Sequence, residues 1–127
     1  MRFILLVVLY NTKVYESSTI VSFLEKCKLV HDDCLLYIWD NSNLLEDQDC
    51  DCSFLNSISY KYYKSDKNTP LSVVYNQILN KYSDFEILFN FDQDSTFDGQ
   101  YFNEFINAYQ QYPDVGLFCP QIFHSDK

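Results

Sequence analysis

The chain has 127 residues, 47% of them hydrophobic and 18% aromatic, enough apolar material for one domain with its own core. A charged fraction of only 21% excludes an intrinsically disordered chain. Nine basic against eighteen acidic residues leave a formal charge of −9, and a surface of that sign repels phosphate backbones, so duplex nucleic acid is excluded as a partner.

The longest apolar run, residues 3–10, is far short of the roughly 20 residues that span a bilayer. Met1-Arg2 stands before it, but no small-residue cleavage site follows, so the chain reads as neither transmembrane nor secretory. The five cysteines are odd in number, and Cys27, Cys34 and Cys119 lie in apolar segments, which suits a reducing cytoplasm. Cys50 and Cys52, in Asp49-Cys50-Asp51-Cys52, are half of a zinc ligand set with no second pair, since His31 and His124 are isolated. They read as thiols of a polar loop.

In chain order, 3–10 is a continuous β-branched and aliphatic run, the pattern of a strand buried on both faces. Ser17 or Ser18 caps a helix carried by Ile20, Leu24 and Cys27. A second buried strand covers 34–39 and ends in Asp40-Asn41-Ser42-Asn43, and the acidic, irregular stretch 44–53 is a loop. Residues 57–63 alternate as a half-buried strand nearer the sheet edge. Pro70 opens a helix with Asn68 or Thr69 as its cap, and Leu71, Val74, Tyr75, Ile78, Leu79 and Tyr82 form its stripe. A third buried strand at 86–91 stops at Asp92-Gln93-Asp94. Asp98 caps the next helix, with Phe102, Phe105, Ile106 and Tyr109 inward, and 115–119 is a last strand closed by Pro120.

Strands alternating with helices imply parallel pairing through right-handed crossovers, hence a three-layer α/β sandwich with a mostly parallel sheet, one domain over 1–127. Two glycines, Gly99 and Gly116, are too few for a G-x-G-x-x-G or Walker A phosphate loop. A bound nucleotide would need something else to hold its phosphates.

In an open parallel sheet, ligands bind beyond the carboxyl ends of the strands. Three strands end there in polar residues: Tyr10-Asn11, Asp40-Asn41-Ser42 and Asp92-Gln93-Asp94. Two carboxylates as close as Asp92 and Asp94 repel unless one is protonated or a cation lies between them. Oxygen ligands of that kind suit Mg²⁺ or Mn²⁺, which complete their shells with water and ligand phosphates. Ordinary turn chemistry is the competing account of the pair, and equally of Asp40-Asn41-Ser42-Asn43. Lys67-Asn68-Thr69-Pro70 leads into a helix N-terminus, where dipole and free N–H groups favour an anion. Asn76 and Asn80 lie one turn apart on that helix's polar side.

Taken in order, Val7-Val8-Leu9-Tyr10-Asn11, Ile38-Trp39-Asp40-Asn41-Ser42, Asn68 through Asn76, and Leu88-Phe89-Asn90-Phe91-Asp92-Gln93-Asp94 resemble the nucleotide-sugar-binding half of family-2 glycosyltransferases with the GT-A fold. The flavour is that of the rhamnosyltransferase-like branch, and Gly116-Leu117-Phe118-Cys119-Pro120 is similar to the family's strand after its long helix. The resemblance implies a GT-A fold incomplete at the C-terminus. It implies that Tyr10 and Asn11 line the nucleotide pocket, that Asp40 binds the base with Asn41 and Ser42 shaping its loop, and that Asn68 with Lys67 sits near the base or diphosphate. Asp92 would face the ribose or sugar, and Asp94, with Asp92 beside it, would hold Mg²⁺ or Mn²⁺. The donor would be a UDP- or dTDP-linked sugar and the acceptor a glycan or lipid-linked chain, served by a cytoplasmic protein peripheral to the membrane by analogy alone. The family's acceptor half, with its general base, lies beyond the matched region, so no catalytic base is named. Pro70 stands where the family has a glycine.

Two other classes stay open: a flavodoxin-like Mg²⁺-binding phosphoacceptor module, which needs a Lys after its last strand, and a non-catalytic domain that kept the fold.

Overall fold

The computed structural model describes residues 2–43 and 49–117. Four strands, β1 (Phe3–Leu9), β2 (Cys34–Asp40), β3 (Tyr60–Lys64) and β4 (Ile87–Phe91), form one sheet in the order β3-β2-β1-β4. Every pairing among the described residues is parallel, with Leu9 opposite Asp40, Asp40 opposite Lys64, and Val7 opposite Phe91. Helices α1 (Ser18–Lys26), α2 (Leu71–Lys81) and α3 (Gln100–Gln111) cover it.

The layer of each helix follows from handedness. The chain steps from β1 to β2 in one direction and from β3 back across to β4 in the other, so crossovers of one hand put α1 and α2 on opposite faces. The side chains agree. Phe3, Leu5, Val7 and Leu9 pack with Ile20 and Phe23 of α1 and Phe102 of α3. Ile4 and Leu6 pack on the other face with Tyr37, Trp39, Val74 and Ile78. The α1 side is an aromatic lattice centred on Phe89, whose ring lies 4.8 Å from Phe105, 5.2 Å from Phe102 and 5.5 Å from Phe3, all edge-to-face. Gly99 sits where α3 begins against α1, and a Cβ there would stand 2.8 Å from the Lys26 carbonyl oxygen, so this close approach requires glycine.

The expected α/β architecture is present, with local corrections. β3 starts at Tyr60, not at residue 57, because Asn56-Ser57 close a turn in which Ile58 N–H donates to the Leu55 carbonyl (3.0 Å). Of the expected loop 44–53, residues 44–48 lie outside the described residues, and Asp49–Leu55 is a 3₁₀ turn. That turn sends Cys52 and Leu55 fully into the α1-side core, so Cys52 is a core residue and not a polar-loop thiol. On α2, Pro70 is the cap residue and neither Asn68 nor Thr69 caps with its side chain. The α2 stripe is wider than its buried face: Val74 and Ile78 are buried, while Leu71 and Leu79 are about half exposed. The Asp98 carboxylate accepts Gln100 N–H (2.9 Å), with Gly99 as the formal cap. Val115–Leu117 carry no strand, and the rest of the strand expected at 115–119, with Cys119 and Pro120, lies outside the described residues.

Cys27 and Cys34 are buried and free. Burial pushes the Cys34 thiol up to about 12, and burial followed by the charge of Asp98 pushes Cys27 up to about 11. A nucleophilic thiol needs the opposite shift, so both are packing residues. No helix among the described residues is long and apolar enough to cross a membrane.

Candidate functional site

The strand order reverses between β1 and β4, and α1 and α3, which follow these two strands, both cover one face, so the carboxyl edge is left open as a crevice on the α2 side. Gln93 locks the two strands together there. Its side-chain amide accepts from Tyr10 N–H (2.8 Å) and donates to the Tyr10 carbonyl (3.5 Å), so the residue between the two aspartates belongs to the end of β1. From α1, the N-cap Ser17 hydroxyl donates to the Gln93 carbonyl (2.6 Å). The buried Thr19 hydroxyl reaches the carbonyls of Asp92 and Ser95 and accepts from Ser95 N–H (2.8 Å). Asp92 and Asp94 themselves are exposed.

A second staple joins the ends of β1 and β2. Asn11 has φ 50°, a left-handed conformation that Asn tolerates because its short amide bonds locally. Its N–H donates to the Ser42 hydroxyl (2.8 Å), and its side-chain oxygen accepts from Asn43 N–H (2.9 Å). Asn43 also donates to the Tyr10 hydroxyl (3.0 Å), fixing that ring at the rim.

Asn41 is the third connection. It is 3% exposed and its side chain makes three bonds. The amide oxygen accepts from the Trp39 indole N–H (2.9 Å) and Thr69 N–H (3.1 Å), and the amide nitrogen donates to the Thr69 carbonyl (2.9 Å). The side chain thus imitates a strand partner and pins the loop before α2 to the sheet. Ser65 supports that loop from within, its hydroxyl bonding the Lys67 carbonyl (2.7 Å) and the Thr69 hydroxyl (2.9 Å).

These three staples frame a cleft of about 650 Å³ on the α2 side of the switch point. Tyr10, Asn41, Asn68, Asp92 and Asp94 all line it, so five residues separated by up to 84 positions meet as expected. Asn90, Gln93 and Tyr75 line it too, though the sequence assigns none of them a site role; a polar Asn inside an otherwise apolar strand is the available signal for the first. Three expected residues do not line it. Asp40 is fully buried, its carboxylate accepting from Ser42 N–H (2.9 Å) and the Tyr62 hydroxyl (2.5 Å). Asn11 lies behind Tyr10 in the staple, and Lys67 is exposed on the far part of its loop. Asn76 and Asn80 are exposed on α2.

Among the described residues the cleft wall carries two carboxylates, side-chain amides and apolar groups, and no Lys or Arg. No group of three or more His, Cys, Asp or Glu able to hold a metal occurs among the described residues. Two exposed carboxylates without a third partner suit a hard cation that keeps waters and takes further oxygens from a bound ligand, and do not suit a closed protein cage. The residues present therefore fit Mg²⁺ or Mn²⁺ shared with a phosphate ligand.

An all-parallel α/β sheet with a polar cleft at its switch point is the class of structure defined here. No protein-family model matches the chain, and no curated protein matches it. Among solved structures it is similar to S. aureus TarS, at 18% identity and a TM-score of 0.67 over 95% of this chain and 23% of that one. TarS 1–349 matches at 16% identity and TM-score 0.66, covering 95% of this chain and 39% of that chain. The same fragment in complex with UDP-GlcNAc matches at 17% identity and TM-score 0.63, over 95% and 37%. The chain thus spans well under half the length of these neighbours, and the likeness establishes the shared α/β fold.

Proposed function

We propose that this chain is the donor-binding portion of a glycosyltransferase, taking a nucleoside-diphosphate sugar in the switch-point cleft. The observation that carries the reading is the convergence of Tyr10, Asn68, Asp92 and Asp94 on one cleft at the carboxyl edge of a parallel sheet. It is supported by the motif order, and by a neighbour of the same fold whose structure is a complex with UDP-GlcNAc. UDP-linked sugars are accordingly the first donors to test, dTDP-linked ones the second. The rhamnosyltransferase-like branch rests on motif order alone.

Asp94 and Asp92 would hold Mg²⁺ or Mn²⁺, which when bound supplies Lewis-acid neutralisation of the charge on the departing nucleoside diphosphate. The chain's own residues do the positioning. Tyr10 offers a ring at the rim, Asn68 and Asn90 offer amide groups to hydroxyls or a base, and the buried Asp40 fixes the start of the base-side loop through Ser42 N–H. Inverting transfer to a glycan or lipid-linked acceptor requires a base that none of the assigned residues supplies. A phosphoacceptor module would want a lysine beside its carboxylates, and the cleft wall has no Lys or Arg among the described residues.

The test is thermal shift and calorimetry with UDP-GlcNAc, UDP, dTDP and GDP, with and without Mn²⁺. UDP-GlcNAc at a hundred times its Kd stabilises the fold by about 2.7 kcal/mol, and Asp94→Asn removes the Mn²⁺-dependent part. Absence of any shift at millimolar nucleotide with Mn²⁺ overturns the reading.

A further inference from the structure

Thr19 is the second residue of α1, fully buried, and of a type that helices disfavour. A buried hydroxyl needs partners, and all of those recorded for Thr19 lie on one segment remote in sequence: the carbonyls of Asp92 and Ser95 and the N–H of Ser95. Its backbone N–H also donates to the Gln93 carbonyl (3.4 Å). The neighbouring Ser17 differs, because its hydroxyl also accepts Ile20 N–H (3.3 Å) and so serves the helix itself. The Thr19 hydroxyl makes no bond within α1. It grips the turn at both ends, one before Asp92-Gln93-Asp94 closes and one after.

We propose that Thr19 is a positioning residue for the Asp92 to Asp94 turn, setting the separation of the two carboxylates and hence the cation concentration at which a diphosphate binds. The role rests on the donor-binding reading above. Gln93 ties the turn to β1 and Ser17 ties its middle to α1, while the Thr19 hydroxyl clamps the Asp92 end and the Ser95 end from outside the turn. Removing that hydroxyl takes from Ser95 N–H its side-chain partner and loosens one carboxylate relative to the other.

The test compares Thr19→Val and Thr19→Ser in the 127-residue chain, with Thr19→Ala in reserve if valine is not accommodated. Calorimetric UDP titrations across a Mn²⁺ series give the Mn²⁺ midpoint for UDP binding. Residues that orient metal ligands are typically worth 10- to 100-fold in metal affinity, so Thr19→Val raises the midpoint about tenfold and Thr19→Ser stays within about twofold. A merely structural role would lower Tm without moving the midpoint, and an unmoved midpoint in Thr19→Val overturns the proposal. Amide exchange at Ser95 supplies a readout independent of nucleotide: its protection falls in Thr19→Val, persists in Thr19→Ser, and an unchanged rate in Thr19→Val is equally fatal. If the parent chain binds no UDP with Mn²⁺, the donor-binding reading fails and with it the ligand half of this proposal, while Ser95 exchange still decides whether Thr19 holds the turn.

Discussion

Replacing Asn41 with Ala removes one side chain and three hydrogen bonds, to Trp39 Nε1–H, Thr69 N–H and the Thr69 carbonyl. The site is almost dry, Asn41 being 3%, Trp39 3% and Thr69 6% exposed, so water replaces the lost partners only if the loop opens. Each buried group left unpaired costs about 1–3 kcal/mol, and partial opening relieves some of it, so the net loss expected is roughly 3 kcal/mol. With an unfolding entropy of about 2.1 cal/mol/K per residue over this chain, that corresponds to a fall in Tm of roughly 10 °C. Trp39 is the single tryptophan and is itself bonded to Asn41, so its fluorescence in a urea titration reports on the site directly. Asn41→Asp refines the experiment. The carboxylate keeps both acceptor contacts but turns an oxygen towards the Thr69 carbonyl, so this variant is weaker than the parent at neutral pH and recovers as acid supplies a proton to donate. Exposed Asn80→Ala, changed in parallel, stays within about 0.5 kcal/mol. An Asn41→Ala loss below about 1 kcal/mol would refute the clamp, because three buried groups cannot be orphaned so cheaply.

Phe89→Ala opens the centre of the aromatic lattice and costs about 3–5 kcal/mol in urea unfolding; a loss under 1 kcal/mol would mean Phe3, Phe102 and Phe105 close the gap. The raised thiols give a pH prediction whose sign follows from proton binding. Between the ordinary thiol range near 9 and the folded value of about 12, the native state holds the Cys34 proton and the unfolded state has lost it. Stability is therefore full below pH 9 and falls above it, by up to about 1.4 kcal/mol per pH unit for that group. Cys34→Ala flattens the slope of a urea-midpoint series from pH 8 to 10.5, and an unchanged slope contradicts the burial argument.

The buried strands were legible because β-branched runs bounded by polar residues have few other folds to adopt, and their polar ends marked the functional edge. The shorter elements were not. The polar residues Asp49, Cys50, Asp51 and Ser53 read as loop, yet a 3₁₀ turn at Asp49–Leu55 buries Cys52 and Leu55 at its inward positions. The α2 stripe promised more burial than α2 delivers as the one helix on that face among the described residues. At the site, Asp92 and Asp94 drew attention through their charge, whereas the residues that bind their turn, Gln93 and Thr19, act through long-range bonds to main-chain atoms. Such bonds have no periodicity and no local spacing, so one sequence cannot display them. Asp40 shows the converse: a conspicuous residue at a strand end whose carboxylate turns inward to Tyr62.

The amino end of α1 is spent on the chain's own carbonyls at Gln93, Asp92 and Ser95, and the cleft wall offers no cationic side chain among the described residues. On the donor-binding reading this leaves a bound cation and the amino end of α2, whose Pro70 and Leu71 line the cleft, to receive the diphosphate charge. Linkage then requires that nucleotide and cation raise each other's affinity by the same factor, so a chelator would weaken donor loading by that factor without touching the nucleotide.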